Sequence, residues 1–303
     1  MKVLPLVSYP LLQNAKFWLL GIAGCVIAIH LDVLWKTTEN FDQVLLRALI
    51  WILALSLSVK QRKSLNLDTG RVSFLLGLIL IAWSIFRSIA ARSGTDLLVI
   101  NISPFVSAVG LCLLASGVRG LKQYGRELTI VFVSIVPAEF MLAMINKILG
   151  VDFTALLSTV TAKFSAFVLW YLGFEVHLQG IQMTLPGGSV VIGGPCSGMN
   201  AMILLLQIAL VVIVMFPTTE LYKKIFLPVS AVLVAFIVNS VRVGLLAFIV
   251  AFSNNRETFD YWHEGDGSQV FSTISILIFC WFCQLAIQQD EPELQSSVNL
   301  EEQ

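Results

Sequence analysis

The sequence predicts an all-α polytopic membrane protein with about eight transmembrane helices, one interfacial amphipathic helix and a short outer hairpin-like loop. Of its 303 residues, 57% are hydrophobic and only 13% are charged, whereas soluble domains carry about a quarter charged residues. The mean hydropathy is +0.86. Basic and acidic residues number 19 each, so the charge gives no indication of nucleic-acid binding, and the lipid bilayer is the expected partner.

Eight apolar runs approach the twenty or so residues that cross a bilayer. They cover residues 16–35, 43–59, 72–89, 97–118, 128–149, 197–216, 225–252 and 269–288. Basic residues follow the second and fourth runs and precede the seventh, and such residues are enriched on the cytoplasmic side. We therefore expect both termini in the cytoplasm and Gly150 outside. We expect no cleavable signal peptide, because the first run lacks a small-residue cleavage pattern.

The stretch 151–174 decides the topology. Its apolar residues recur at helical spacing: Leu156, Val160, Phe164, Phe167 and Tyr171. Polar residues interrupt the remainder, a pattern typical of an interfacial or tightly packed amphipathic helix. If this stretch crossed the membrane, Lys223 and Lys224 would lie outside, against the charge rule. We therefore predict that it lies at the outer interface.

We predict one integral membrane domain over residues 1–288, followed by an acidic cytoplasmic tail over 289–303. The tail is rich in glutamate and short of apolar residues, which favours disorder. Between 175 and 191, short extended segments surround Gly180 and a Pro-Gly-Gly sequence at 186–188. We expect a hairpin-like outer loop there, which brings the following residues to the start of the sixth span.

The most unusual stretch is Gly-Gly-Pro-Cys-Ser-Gly-Met-Asn at 193–200, directly before the sixth span. Pro195 is typical of a helix start, so we expect Cys196 in a first helical turn, where free N–H groups and the helix dipole favour a thiolate. The small residues Gly194, Ser197 and Gly198 leave room for a substrate backbone. The alternative is a glycine-rich helix start whose cysteine merely packs.

The other four cysteines lie inside apolar runs and form no disulfide framework. Cys280 and Cys283 have the spacing of a redox or zinc motif, but no second pair or histidine accompanies them. We expect them to pack. Nothing in the sequence calls for a metal or another cofactor.

Arg242 and His263 are predicted to lie in the same leaflet as Cys196. An arginine within a span is costly and usually faces a polar interior. Asn239, one turn earlier, would share its helix face and orient the guanidinium, and Glu139 of the fifth span would supply a carboxylate partner. Each residue also has an ordinary interpretation, Arg242 as a link between helices and His263 as an interfacial histidine among aromatic residues.

Three motifs together resemble the exosortase/archaeosortase family. They are Cys-Ser-Gly at 196–198 before an apolar helix, Asn-Ser-Val-Arg at 239–242 within the next, and His263 before the last. The resemblance covers about residues 137–288, and the earlier spans match only in being hydrophobic. Asn200 closely follows the Cys-Ser-Gly motif, and we expect it to support the site.

The resemblance implies a membrane cysteine transpeptidase, of the cyanobacterial type, that processes proteins with a C-terminal sorting signal. Such a PEP-CTERM signal combines a Pro-Glu-Pro-like motif, a hydrophobic helix and a basic end, and the family occurs in archaea and in bacteria that make exopolysaccharide. The implied location is the inner membrane, with the active site facing the periplasm or cell exterior. The expected partners are these substrate proteins and the lipid bilayer.

The chemistry of the three side chains agrees with this activity. Cys196 would attack a substrate carbonyl and form a thioester, and His263 would exchange the protons. Arg242 would hold the substrate or stabilise the oxyanion. Whether His177 joins the site stays open.

Three alternatives stay open. A transporter or a lipid- or polysaccharide-handling protein would use Glu139, Arg242 and Arg47 along a polar path and would tolerate loss of the thiol. A serine intramembrane protease would depend on Ser197 and His263. A structural partner of a polysaccharide export complex would need none of these side chains.

Overall fold

The computed structural model describes residues 15–38, 41–60, 65–91, 97–136, 138–217, 220–253, 255–263 and 265–288. Within these ranges the chain is almost entirely helical, with one small antiparallel sheet. Seven of its helical stretches are long and apolar enough to cross a membrane, which confirms the predicted all-α polytopic class. The predicted tail, 289–303, lies outside the described residues.

The chain divides into two compact units, Met1–Ile135 and Val136–Gln303. The helices of unit 1 are α1 (Ala15–Thr38), α2 (Phe41–Lys60), α3 (Arg71–Ala91), α4 (Leu97–Gly120) and α5 (Gly125–Ile135). A 3₁₀ turn, Leu121–Tyr124, connects α4 to α5. The single membrane domain expected over 1–288 stays a prediction.

Unit 1 holds a polar cluster inside its apolar bundle. His30 Nε2 lies 2.9 Å from Ser107 Oγ, which donates to Ser84 Oγ at 2.8 Å. Ser84 in turn donates to the carbonyl of Ser103. Since a buried polar group without a partner is costly, these bonds account for the presence of a buried histidine between α1, α3 and α4.

Unit 2 contains helices α6 (Ala138–Leu149), α7 (Phe153–Tyr171), α8 (Met199–Met215), α9 (Leu221–Phe252), α10 (Arg256–His263) and α11 (Asp266–Gln288). Its strands are β1 (His177–Gln179), β2 (Gln182–Leu185) and β3 (Gly188–Val191). They form an antiparallel sheet in the order β1-β2-β3, with Met183 opposite Val190. The outer loop expected between 175 and 191 is thus a three-stranded meander.

Two apolar cores hold unit 2 together. The first joins α8, α9 and α11 through small and aromatic residues such as Ala209, Ala231 and Phe279, all fully buried. Cys283 packs in this core, as predicted, whereas the same prediction is wrong for Cys280, which is exposed on α11. The second core lies under the sheet, where Met183 and Ile192 face α9 and surround Cys196. Strand alternation therefore directs one face of the sheet onto the helix that carries Arg242.

The fifth predicted span, 128–149, is not one continuous helix. Helix α5 ends at Ile135 and α6 begins at Ala138, and the boundary between the two units falls at the same place. The sequence has a proline at 137, which lacks an N–H and disfavours a continuous helix. Residues 128–133 of this run belong to the candidate span Leu98–Val133, whereas the rest of the run and α8, with 17 residues, are not among the seven stretches.

Helix α7 differs from the predicted interfacial helix in the direction of its polar face. It is among the stretches apolar enough to span, and its apolar stripe is largely exposed, with Tyr171 at 78%. Its buried face carries Ser158, Thr161 and Ser165 instead. Because Ser165 donates to the backbone of α9, its hydroxyl is satisfied inside the protein. These three polar residues of α7 therefore mark its contact with the protein, while Lys163 on the same helix is exposed.

Candidate active site

Cys196 lies in a short 3₁₀ turn, Gly194–Cys196, that connects the sheet to α8. Pro195 occupies the start of the turn, and the N–H of Cys196 donates to the carbonyl of Gly193 at 3.0 Å. The sequence predicted that Cys196 would lie in the first turn of the following helix. That prediction is wrong, because α8 begins only at Met199, and the N–H groups around the thiol belong to this separate turn.

Gly198 separates the turn from α8 and has a left-handed backbone conformation, with φ at +87°. A Cβ atom at this position would also lie 2.7 Å from Asn239 Nδ2. Glycine alone adopts this conformation without strain, and glycine alone leaves room for Asn239. The turn and α9 can therefore approach each other closely only with glycine at 198.

The Cys196 sulfur lies against the imidazole of His263. The distance from Sγ to Nε2 is 3.1 Å, within hydrogen-bond range for sulfur. His263 is the last residue of α10, and its ring stacks on Phe259 with the centroids 5.1 Å apart. Because Cys196 is only 5% exposed, the thiol and imidazole form a pair largely shielded from solvent.

Arg242 approaches the same pair from α9, ten residues before that helix ends. Its Nη2 donates to the backbone carbonyl of His263, which links α9 to the end of α10. Its Nε is buried and has no hydrogen-bond partner among the described residues. The guanidinium therefore positions the histidine through one nitrogen and leaves another donor available in the site.

Comparison with known proteins gives the family of the chain. The chain matches the family of transmembrane exosortases (Exosortase_EpsH) over residues 35–280. The chain belongs to the transmembrane exosortase family. Comparisons with curated proteins and with solved structures gave no match. The match covers most of unit 1 as well as residues 137–280, which contain all three motifs on which the resemblance rests.

Asn239 has a different partner from the one predicted for it. Its Nδ2 donates to the carbonyl of Cys196 at 2.9 Å, and its side chain is 5% exposed. The sequence indicated that it would orient Arg242 from one helical turn away. In this exosortase Asn239 instead fixes the backbone of the residue that carries the thiol.

Thr161 is a residue of the site that the sequence did not indicate. Its Oγ1 donates to the carbonyl of Ser197 at 3.1 Å, and its side chain is fully buried. One hydroxyl from α7 and one amide from α9 thus hold two successive carbonyls, those of Ser197 and Cys196. Only the polar residues within an apolar helix signal this role, and they are equally typical of an interfacial or a tightly packed helix.

The Ser197 side chain bonds to the backbone of the turn. Its Oγ donates to the carbonyl of Gly194 at 2.7 Å and accepts from the N–H of Met199 at 3.3 Å. It is fully buried. A serine nucleophile needs a base and access to substrate, whereas this hydroxyl joins the turn to the start of α8.

Two other predicted residues of unit 2 are exposed. Asn200 is exposed on the first turn of α8, and His177 is exposed in β1. Glu139 belongs to α6, but its side chain lies outside the described part of the chain. Arg47 is in unit 1, where it donates to Asn101. Among the described residues, no three His, Cys, Asp or Glu side chains are grouped so that they could hold a metal ion.

Replacing Gly198 with alanine tests the close approach of the turn and α9. We expect G198A to lose on the order of 1–3 kcal/mol, because a non-glycine residue is strained in the left-handed region, and to show altered alkylation of Cys196. Thermal unfolding of the purified exosortase and peptide mass spectrometry after iodoacetamide treatment measure both effects. G193A is the control, since its Cβ would meet nothing closer than 3.9 Å. Equal stability and equal Cys196 alkylation in the two variants would contradict the requirement for glycine at 198.

Proposed function

We propose that this membrane transpeptidase is cysteine-dependent and acts on proteins with a C-terminal PEP-CTERM-like sorting signal at the outer face of the cytoplasmic membrane. Family membership carries the general activity. The 3.1 Å contact between Cys196 Sγ and His263 Nε2 carries the assignment of the nucleophile. Histidine beside a cysteine is the usual means of activating a thiol.

The first step forms an acyl-enzyme. His263 Nε2 takes the proton of the Cys196 thiol, and the sulfur attacks the carbonyl carbon of the scissile peptide bond. The carbon–nitrogen bond then breaks, and His263 returns the proton to the leaving amine. The hydrophobic helix and basic end of the signal leave with that amine, while the upstream protein stays attached to sulfur as a thioester.

The second step transfers the upstream protein. An acceptor nucleophile attacks the thioester carbonyl, the carbon–sulfur bond breaks, and the proton lost by the acceptor restores the thiol through His263. With water as acceptor the outcome is hydrolysis, with an amine it is transpeptidation, and with a hydroxyl it is transfer to form an ester.

Arg242 serves both steps through two of its three guanidinium nitrogens. The bond from Nη2 to the His263 carbonyl holds the imidazole opposite the sulfur. The buried Nε, which has no partner among the described residues, is available to the negative charge that develops on the carbonyl oxygen. A fixed donor in a site with little water stabilises such a charge strongly.

The helices of unit 2 support a site at the outer face. Cys196 precedes α8, while Lys223 and Lys224 lie at the start of α9, next to the other end of α8. The thiol and the two lysines are therefore at opposite ends of the same helix. Because basic residues are enriched at cytoplasmic ends, the thiol belongs on the periplasmic or extracellular side, with both termini in the cytoplasm.

Single substitutions in the three side chains test the chemistry. We expect C196A, C196S, R242A and H263A each to abolish processing of a reporter carrying a PEP-CTERM-like signal, since removing a positioned acid–base or nucleophilic group costs about 10²-fold or more. Immunoblots of the reporter measure precursor and product, and size-exclusion profiles of the variants show whether they stay folded.

Matched variants separate this proposal from its rivals. H177A removes the exposed histidine of β1 and should leave processing unchanged, whereas loss of activity in S197A with retention in C196A would indicate a serine protease. Processing by a folded C196A protein would overturn the assignment of the nucleophile, and retention in all three alanine variants would favour a structural or transport role.

A membrane-impermeant maleimide tests the side of the membrane. The reagent is added to cells whose outer membrane is permeabilised and whose cytoplasmic membrane is intact. It should modify Cys196 in a variant whose other cysteines are replaced by alanine. Prior addition of a substrate signal peptide should reduce the modification, because the peptide covers the thiol. Modification that appears only after the cytoplasmic side is exposed would contradict the outer location and leave the cysteine chemistry unaffected.

A further inference from the structure

Unit 1 contains a cavity of about 340 Å³ that the proposed transpeptidase chemistry does not use. It lies where α1 begins, α2 ends and α4 leads through the 3₁₀ turn into α5. Its walls are mainly aliphatic and aromatic, including Leu20, Trp51, Leu55, Leu65, Leu111 and Val131. This volume is in the range of small-molecule sites, about 300–1,000 Å³, which are mostly apolar with few polar groups.

One acidic side chain, Glu127, faces this cavity from the first turn of α5. It is only 5% exposed. Ser58 donates to its Oε1 at 3.5 Å, while Oε2 has no hydrogen-bond partner among the described residues. The other polar group nearby, the Tyr124 hydroxyl, already bonds to Ser116 Oγ at 2.8 Å.

A buried carboxylate without a cation is costly. The start of α5 offsets part of this cost, because a helix N-terminus favours negative charge. Within the described part of unit 1, no lysine or arginine forms an ion pair with Glu127. The adjacent Arg126 is exposed and acts on the charge of Glu127 without an ion pair. An apolar cavity with one carboxyl oxygen that has no partner among the described residues is complementary to a molecule that has an apolar body and a single cationic head.

We propose that this cavity binds an amphiphilic amine, with the alkyl chain against the apolar walls and the ammonium group on Glu127 Oε2. An ammonium group supplies both the counter-charge and the hydrogen-bond donor that Oε2 lacks. Amphiphiles with a carboxylate or phosphate head are disfavoured there, since their charge has the same sign as that of Glu127. The site belongs to unit 1 alone, so it stands independently of the proposed function.

Photo-crosslinking of the full chain in phosphatidylcholine nanodiscs tests this binding site. The probe is a twelve-carbon alkylamine with a diazirine in its chain, and the comparison probes are the corresponding alcohol and carboxylic acid. We expect the amine to modify peptides of the cavity wall, within 51–67 and 108–131, about tenfold more than the acid does. Unlabelled dodecylamine should compete, and this comparison needs no substitution in the protein.

Glu127→Gln adds the specific test. It should reduce modification by the amine about tenfold and leave modification by the alcohol unchanged, while Glu175→Gln, at an exposed position of unit 2, should change neither. Equal modification of wild type and E127Q by the amine would overturn the proposal, as would equal modification of the cavity by all three probes. Either result would make Glu127 a residue that only stabilises the start of α5.

Discussion

The hydrogen bond from Asn239 Nδ2 to the carbonyl of Cys196 is the contact on which the geometry of the site depends. It joins the turn before α8 to the middle of α9 at 2.9 Å, and it requires the left-handed glycine at 198. Arg242 lies on the next turn of the same helix and holds His263 by its carbonyl. One rigid helix therefore sets the positions of both the sulfur and the imidazole, which a reaction sensitive to small misplacements requires.

The site is built inside an apolar unit, and this makes its polar contacts strong. Thr161 and Ser165 hold backbone carbonyls at 3.1 and 2.9 Å, and both side chains are fully buried. In such surroundings a hydrogen bond is strengthened, and an unpaired polar group is correspondingly costly. The Nε of Arg242, which has no partner among the described residues, is thus costly to bury, and in our proposal the substrate oxygen accepts from it.

The sequence alone predicted the class of fold, a hairpin-like loop of short extended segments over 175–191 and the three side chains that meet. Each of these has a local signal: an apolar run, a Pro-Gly turn, or a cysteine, arginine or histidine where such residues are rare. The sequence did not predict the partners of Asn239 or the role of Thr161, since these depend on contacts between residues 43 and 36 positions apart in the chain. The placement of α7 at the interface, with no account of what its polar residues contact, has a related reason. Helical periodicity shows that a polar stripe exists and not what it faces.

A search for a covalent intermediate tests the central claim most directly. The purified exosortase is mixed with a reporter bearing a PEP-CTERM-like signal, quenched in acid and digested, and the peptide containing Cys196 is analysed by mass spectrometry. Our account predicts a peptide joined to the upstream part of the reporter through Cys196, released by neutral hydroxylamine as a thioester and absent from H263A. Product formation without any adduct on Cys196, or with the adduct on Ser197, would contradict it.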